Sequence, residues 1–177
     1  MKNYLKMTLI AAMAIPMLFS LSSCTPEHKD EEPPKEEKTY KGSFELTYKA
    51  SADLLAVADI KISYNDETGK LVTEAVTTTA KWTKKVVYKK LPVTVGFKIA
   101  YTVKNPLPTD KPSFDLEYLY DGSVYSLDAK TNEVIGDGIN PYSHEIRPVK
   151  TEHVGINLET FNVSKSFLID SKGVKEI

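Results

Sequence analysis

The sequence predicts an all-β domain built as an antiparallel sandwich, and three observations carry that expectation. Apolar and polar residues alternate with period two along most of the chain after residue 43. Turn-forming residues interrupt the alternation at short intervals, and no ten-residue stretch carries a convincing helical period. Roughly eight short runs joined mostly by hairpin-like turns then call for two packed sheets or a closed barrel. An immunoglobulin-like sandwich is the first expectation, although that fold's disulfide is missing because the only cysteine is Cys24; a small antiparallel barrel is the alternative.

The elements follow in order. Phe44, Leu46, Tyr48 and Ala50 alternate with Glu45, Thr47 and Lys49, and Leu54 to Tyr64 continues as a second run on even positions. Asn65-Asp66-Glu67-Thr68-Gly69 is a turn whose glycine can take positive φ, so it should fold the chain back onto Leu71 to Thr79. Val93, Val95, Phe97, Ile99, Tyr101 and Val103 form the clearest strand, and the proline-rich segment 105–112 ends it. Phe114 to Tyr120 is another run, and Asp121-Gly122 reads as a tight hairpin into Val124 to Ala129. Residues 130 to 141 look like a loop, and the last 30 residues give one or two strands with a bulge near Glu159, where the parity of apolar positions switches.

Charge and composition divide the chain differently. Lys2 and Lys6 flank an apolar run from Met7 to Phe19 that is too short to span a bilayer, and Leu21-Ser22-Ser23-Cys24 closes it with small residues before the cysteine. This pattern resembles the lipobox of bacterial lipoproteins. The resemblance implies removal of residues 1–23, acylation of Cys24, and a mature chain held to a membrane by lipid. Residues 25–39 contain six acids, three lysines and three prolines and no large apolar side chain, which is the composition of an extended tether reaching roughly 50 Å at most. Within it, Lys29-Asp30-Glu31-Glu32 resembles the acidic export signal of Bacteroidota-type surface lipoproteins, which implies the outer face of the outer membrane; a periplasm-facing lipoprotein is the alternative. The organisation expected is therefore signal peptide 1–23, lipidated tether 24–39 and a single domain 40–177. With the leader's two lysines and the tether's charges set aside, that domain holds 18 acids and 18 bases, with Arg147 its only arginine, which argues against nucleic-acid binding.

Residues able to do chemistry are sparse. No serine sits in a glycine-flanked elbow, and the histidines are His28 in the tether and His144 and His153 nine residues apart, without HxxxH or CxxC spacing. Asp128 to Glu133 begins like a calcium loop but has lysine at its third position and glutamate where the sharp turn needs glycine, so it is rejected. Asp115 and Glu117 share a strand face, as alternation produces in most solvated sheets. The most unusual composition is Lys81 to Lys90, five lysines around Trp82 and Tyr88. It reads either as an edge strand guarded by lysines or as a binding strip for an acidic glycan or a cell-surface protein, with Trp82, Lys84, Lys85 and Tyr88 as contacts. The functional expectation is a lipid-anchored, surface-exposed, non-catalytic binding module without metal or cofactor. The alternatives are a structural or adhesive subunit that pairs through its edge strands, and, further off, a haem or metal carrier or an enzyme.

Overall fold

The period-two alternation becomes strands almost wherever it was read. The structure is a computed structural model and describes residues 38–177. Its strands are β1 (Tyr40–Ala50), β2 (Ala58–Asn65), β3 (Leu71–Val76), β4 (Trp82–Tyr88), β5 (Val93–Val103), β6 (Ser113–Asp128), β7 (Val134–Ile139), β8 (Tyr142–Lys150), β9 (Val163–Asp170) and β10 (Gly173–Glu176). Two short helices join them, α1 (Ala52–Val57) and α2 (Val154–Phe161). One sheet runs β4-β1-β6, with β7 and β8 laid end to end along the far side of β6; the other runs β10-β9-β5-β2-β3. Every pairing is antiparallel, and the two open sheets pack face to face as a β-sandwich rather than closing into a barrel. The described residues, 38–177, fall within one compact unit.

Four local expectations are corrected. Asp121-Gly122 is not a hairpin but the middle of β6, the longest strand at 16 residues. Even positions stay on the buried face from Phe114 to Ser126, straight through Gly122, and such continuity leaves no room for a reversal. Gly122 does not have the positive φ of the turn glycines; it is small because a Cβ there would lie 3.0 Å from Pro141 Cγ and 3.2 Å from the Glu45 carbonyl. Second, the run from Leu54 begins as helix. Ser51 caps it by accepting from the Leu54 N–H at 3.1 Å, Asp53 sits in its first turn, and Leu54 and Val57 are its buried side chains. Third, residues 130–141 contain a strand, β7, reached through the left-handed Asn132. Fourth, the parity switch near Glu159 is α2, whose buried residues Val154, Leu158 and Phe161 fall at helical spacing.

The space between the sheets is filled by aromatic side chains. Phe97 lies 5.6 Å from Tyr120 and 6.3 Å from Phe44, ring centre to ring centre, and the Phe161 ring of α2 stands edge-on to Tyr118 at 4.9 Å. The Tyr48 and Tyr101 hydroxyls meet at 3.0 Å inside this cluster, and burial raises both phenols far above their ordinary pKa. Ser126 is fully buried and donates to the Asp170 carbonyl at 2.6 Å, which ties β6 to the turn between β9 and β10.

Candidate functional site

The lysine-rich segment forms β4, the edge strand beyond β1. Strand alternation sends its residues to different places. Trp82 and Lys84 turn toward the second sheet, where the Trp82 ring packs on Tyr64 at 6.1 Å and Lys84 Nζ stands 4.8 Å above the same ring. Both end on Glu74 of β3: Trp82 Nε1 donates to one carboxylate oxygen at 3.0 Å, and Lys84 Nζ donates to the other at 3.0 Å. The Tyr64 hydroxyl donates to that second oxygen as well. With three donors on one carboxylate, Tyr64 first among them, Glu74 is pulled down to a pKa of about 2. Burial and then Glu74 itself push the Tyr64 phenol up. Lys85 points to the outer face and pairs with Glu45 of β1 at 3.4 Å. Tyr88 is buried and donates to the Asn65 carbonyl at 2.6 Å. The four expected contacts thus do not form one surface: two clasp the flank between the sheets, one lies outside and one is core.

Concave surface lies at the end of the sandwich where β1 begins. The turn from β4 to β5 protrudes there as Lys89-Lys90-Leu91-Pro92, with a cis Leu91–Pro92 bond. One cleft of about 430 Å³ lies between this turn and the β2–β3 turn; Val87, Tyr88, Pro92 and Val93 form its apolar wall, with Lys89, Lys90 and Glu67 around it. A second cleft of about 460 Å³ lies on the other side of Pro92, against Tyr40, Leu168 and Ser171. The β2–β3 turn is held by its own side chains. Asp66 Oδ1 accepts from the Thr68 and Lys70 N–H groups at 2.9 and 3.0 Å, and Gly69 has φ +82°. Asn65 Oδ1 accepts from the Gly96 N–H at 2.9 Å, which replaces a ladder bond where the β2–β5 pairing ends.

The ionisable residues singled out in the sequence are spread over separate places. His144 on β8 meets Glu117 on β6 at 3.0 Å on the outer face of the first sheet, while His153 lies beside Glu152 at the start of α2. Asp115 donates its N–H to Asp53 Oδ2 at 3.0 Å, so its main chain anchors α1. Asp128 Oδ1 caps its own turn by accepting from the Lys130 and Thr131 N–H groups, which lowers its pKa. Arg147 fixes α2 to β8 through Asn157 and Thr160, each at 3.1 Å, and lies 5.1 Å over the Phe161 ring. Among the described residues no three His, Cys, Asp or Glu side chains are grouped to hold a metal ion.

Cys24, His28 and Lys29-Asp30-Glu31-Glu32 lie outside the described residues. No helix among the described residues is long and apolar enough to cross a membrane. No protein-family model, no curated protein and no solved structure matches the chain.

Proposed function

We propose that the chain is a lipid-anchored, surface-displayed binding module without catalytic function, held to the outer membrane by an acylated Cys24. Two clefts border the Lys89–Pro92 turn, and the observation that carries the reading is the apolar wall of Val87, Tyr88, Pro92 and Val93 flanked by two lysines. An apolar wall with a few polar groups at its margin suits recognition. The ammonium groups of Lys89 and Lys90 favour a partner carrying carboxylate or sulfate, either an acidic glycan or an acidic stretch of a cell-surface protein. The tether would raise the effective concentration of such a partner within its reach.

Glycan-array binding of the full chain and of its Lys89→Ser/Lys90→Ser variant tests this reading. The expectation is selective binding to acidic glycans, reduced at least about tenfold in the variant (roughly 1.4 kcal/mol) with unchanged thermal unfolding. Binding that ignores both lysines would remove the cleft from consideration.

A second reading, an assembly subunit that pairs through an edge strand, is favoured by one observation. The free edge of β8 carries Tyr142 and Ile146, 60% and 61% exposed, where β4 carries lysine.

A further inference from the structure

The direction of the main-chain groups along β8 follows from the bonds made by β6. Asp115 gives its N–H to Asp53 and its carbonyl accepts from Ser51 Oγ. The Glu117 N–H donates to Ser51 Oγ at 3.2 Å, and its carbonyl accepts from the Ser51 N–H at 2.9 Å. Odd residues of β6 therefore turn their main chain toward β1 and α1, and even residues turn theirs toward β7 and β8, as the Gly122 N–H does toward the Pro141 carbonyl at 2.9 Å. On β8, the residues opposite Leu116, Tyr118 and Tyr120 are Arg147, Glu145 and Ser143. These make the ladder bonds, so Tyr142, His144 and Ile146 direct their N–H and C=O groups to the open side of the strand. No other main-chain bond from these three residues occurs among the described residues.

An unpaired row of donors and acceptors is a template for another extended chain. Of the usual guards β8 carries Pro148 near its end and the inward-turned Glu145 and Arg147, but Tyr142, His144 and Ile146 stand on the outer face without a charge-bearing lysine, the first lysine being Lys150. The opposite edge differs. Even residues of β4 bond to β1, which leaves Thr83, Lys85 and Val87 at its open side with a lysine in the centre. Two copies meeting there about Lys85 would set ammonium against ammonium.

We propose that β8 pairs antiparallel with β8 of a second copy of this chain, about a two-fold axis at His144. This deepens the edge-pairing reading above by naming the edge, the partner and the register. In this register Tyr142 of each copy lies opposite Ile146 of the other and His144 opposite His144, each pair exchanging two N–H···O=C bonds. Pro148, which has no N–H to give, falls opposite Asn140, outside the strand. A two-fold axis at Ile146 would instead set Pro148 against His144 and lose a donor in the middle of the ladder. Aromatic and β-branched side chains facing each other across a pair of strands are a favourable cross-strand combination. The five-stranded sheet of each copy would continue into that of the other, with the two Tyr40 ends pointing in opposite directions. That orientation joins domains on facing surfaces more readily than neighbours on one surface.

The register makes a sharp test. Residues in a hydrogen-bonded antiparallel pair have Cα atoms about 5.5 Å apart, inside the disulfide range of roughly 4.4–6.8 Å. A Cys24→Ser chain carrying His144→Cys should form a disulfide-linked dimer under mild oxidation, at least about tenfold more than a Cys24→Ser chain carrying Thr83→Cys on the other edge. Adding Ile146→Pro should abolish the link while leaving thermal unfolding nearly unchanged, because that N–H has no partner in the monomer. Equal linking at both edges, or linking indifferent to Ile146→Pro, overturns the proposal. Sedimentation of the same chains with His144 restored separates this from the broader reading. A dimer that survives Ile146→Pro overturns only the β8 register, whereas a monomer at every concentration overturns both. Since Cys24 is replaced throughout, neither outcome bears on lipid anchoring.

Discussion

Glu74 decides how one flank of the sandwich closes. It sits on an edge strand of one sheet and receives bonds from Trp82 and Lys84 on the edge strand of the other, and from Tyr64 behind it. Because its folded pKa of about 2 lies below the ordinary value of 4.5, the carboxylate stabilises the fold above pH 4.5. That contribution disappears as the pH falls from 4.5 toward 2. A shift of that size would carry several kcal/mol in a dry site, but the Glu74 side chain is 37% exposed, and solvent screening leaves about 1 kcal/mol. Glu74→Gln should therefore cost about 1 kcal/mol at pH 7, and chemical denaturation of variant and wild type should converge near pH 2. A cost that persists unchanged at pH 2 would mean that shape, not charge, holds the clasp. The sequence named Trp82 and Lys84 but not Glu74, since Leu71–Val76 reads as an ordinary strand and only the register against β4 shows where its carboxylate points.

At the scale of elements, period two was legible wherever a strand keeps one face buried along its length, as β5 does. It misled where two short patterns adjoin. Leu54, Ala56 and Ala58 share a parity with Ile60, yet Ser51 and Asp53 supply a cap and a first-turn acid, and one helical turn fits between two strands at no cost in burial. Val154, Leu158 and Phe161 carried a helical signal that the Ile156–Leu158 alternation masked; Ile156 proves 69% exposed. Asp121-Gly122 had the chemistry of a turn, but the unbroken even parity across it was the stronger signal. Two glycine substitutions separate these assignments. Gly155→Ala in α2 places a Cβ at an ordinary 3.7 Å from Val103 and should stabilise the domain by about 0.5–1 kcal/mol through helix propensity. Gly122→Val should destabilise it by about 1–3 kcal/mol, because the space beside Pro141 and the Glu45 carbonyl is already filled. A hairpin at Gly122 and a strand at 154–161 would not give opposite signs, and thermal unfolding reads both.

For the whole molecule, the two-sheet architecture was readable because burial on one face per strand demands a second layer. The candidate cleft was not, because it is made by turns from distant parts of the chain that meet only when the sheets pack. The Lys89–Pro92 turn comes against the Asn65–Gly69 turn through the β2–β5 pairing, which no local pattern encodes. Both clefts open at the end where Tyr40 enters β1, the end at which a tether from Cys24 would join the domain. If anchoring is right, Cys24→Ala should abolish incorporation of labelled fatty acid and leave precursor or soluble protein in the cell fraction. Display can then be measured on the lipidated chain by adding protease to intact cells of the native host. Cleavage is expected for the unchanged protein, and protection when Lys29, Asp30, Glu31 and Glu32 are all replaced by alanine. Full protection of the unchanged chain would place the domain in the periplasm, where a cleft flanked by lysines would meet periplasmic partners rather than acidic glycans outside the cell. Unchanged labelling of Cys24→Ala would instead show that the lipid is not on this cysteine, and anchoring through Cys24 and its tether would then have to be abandoned.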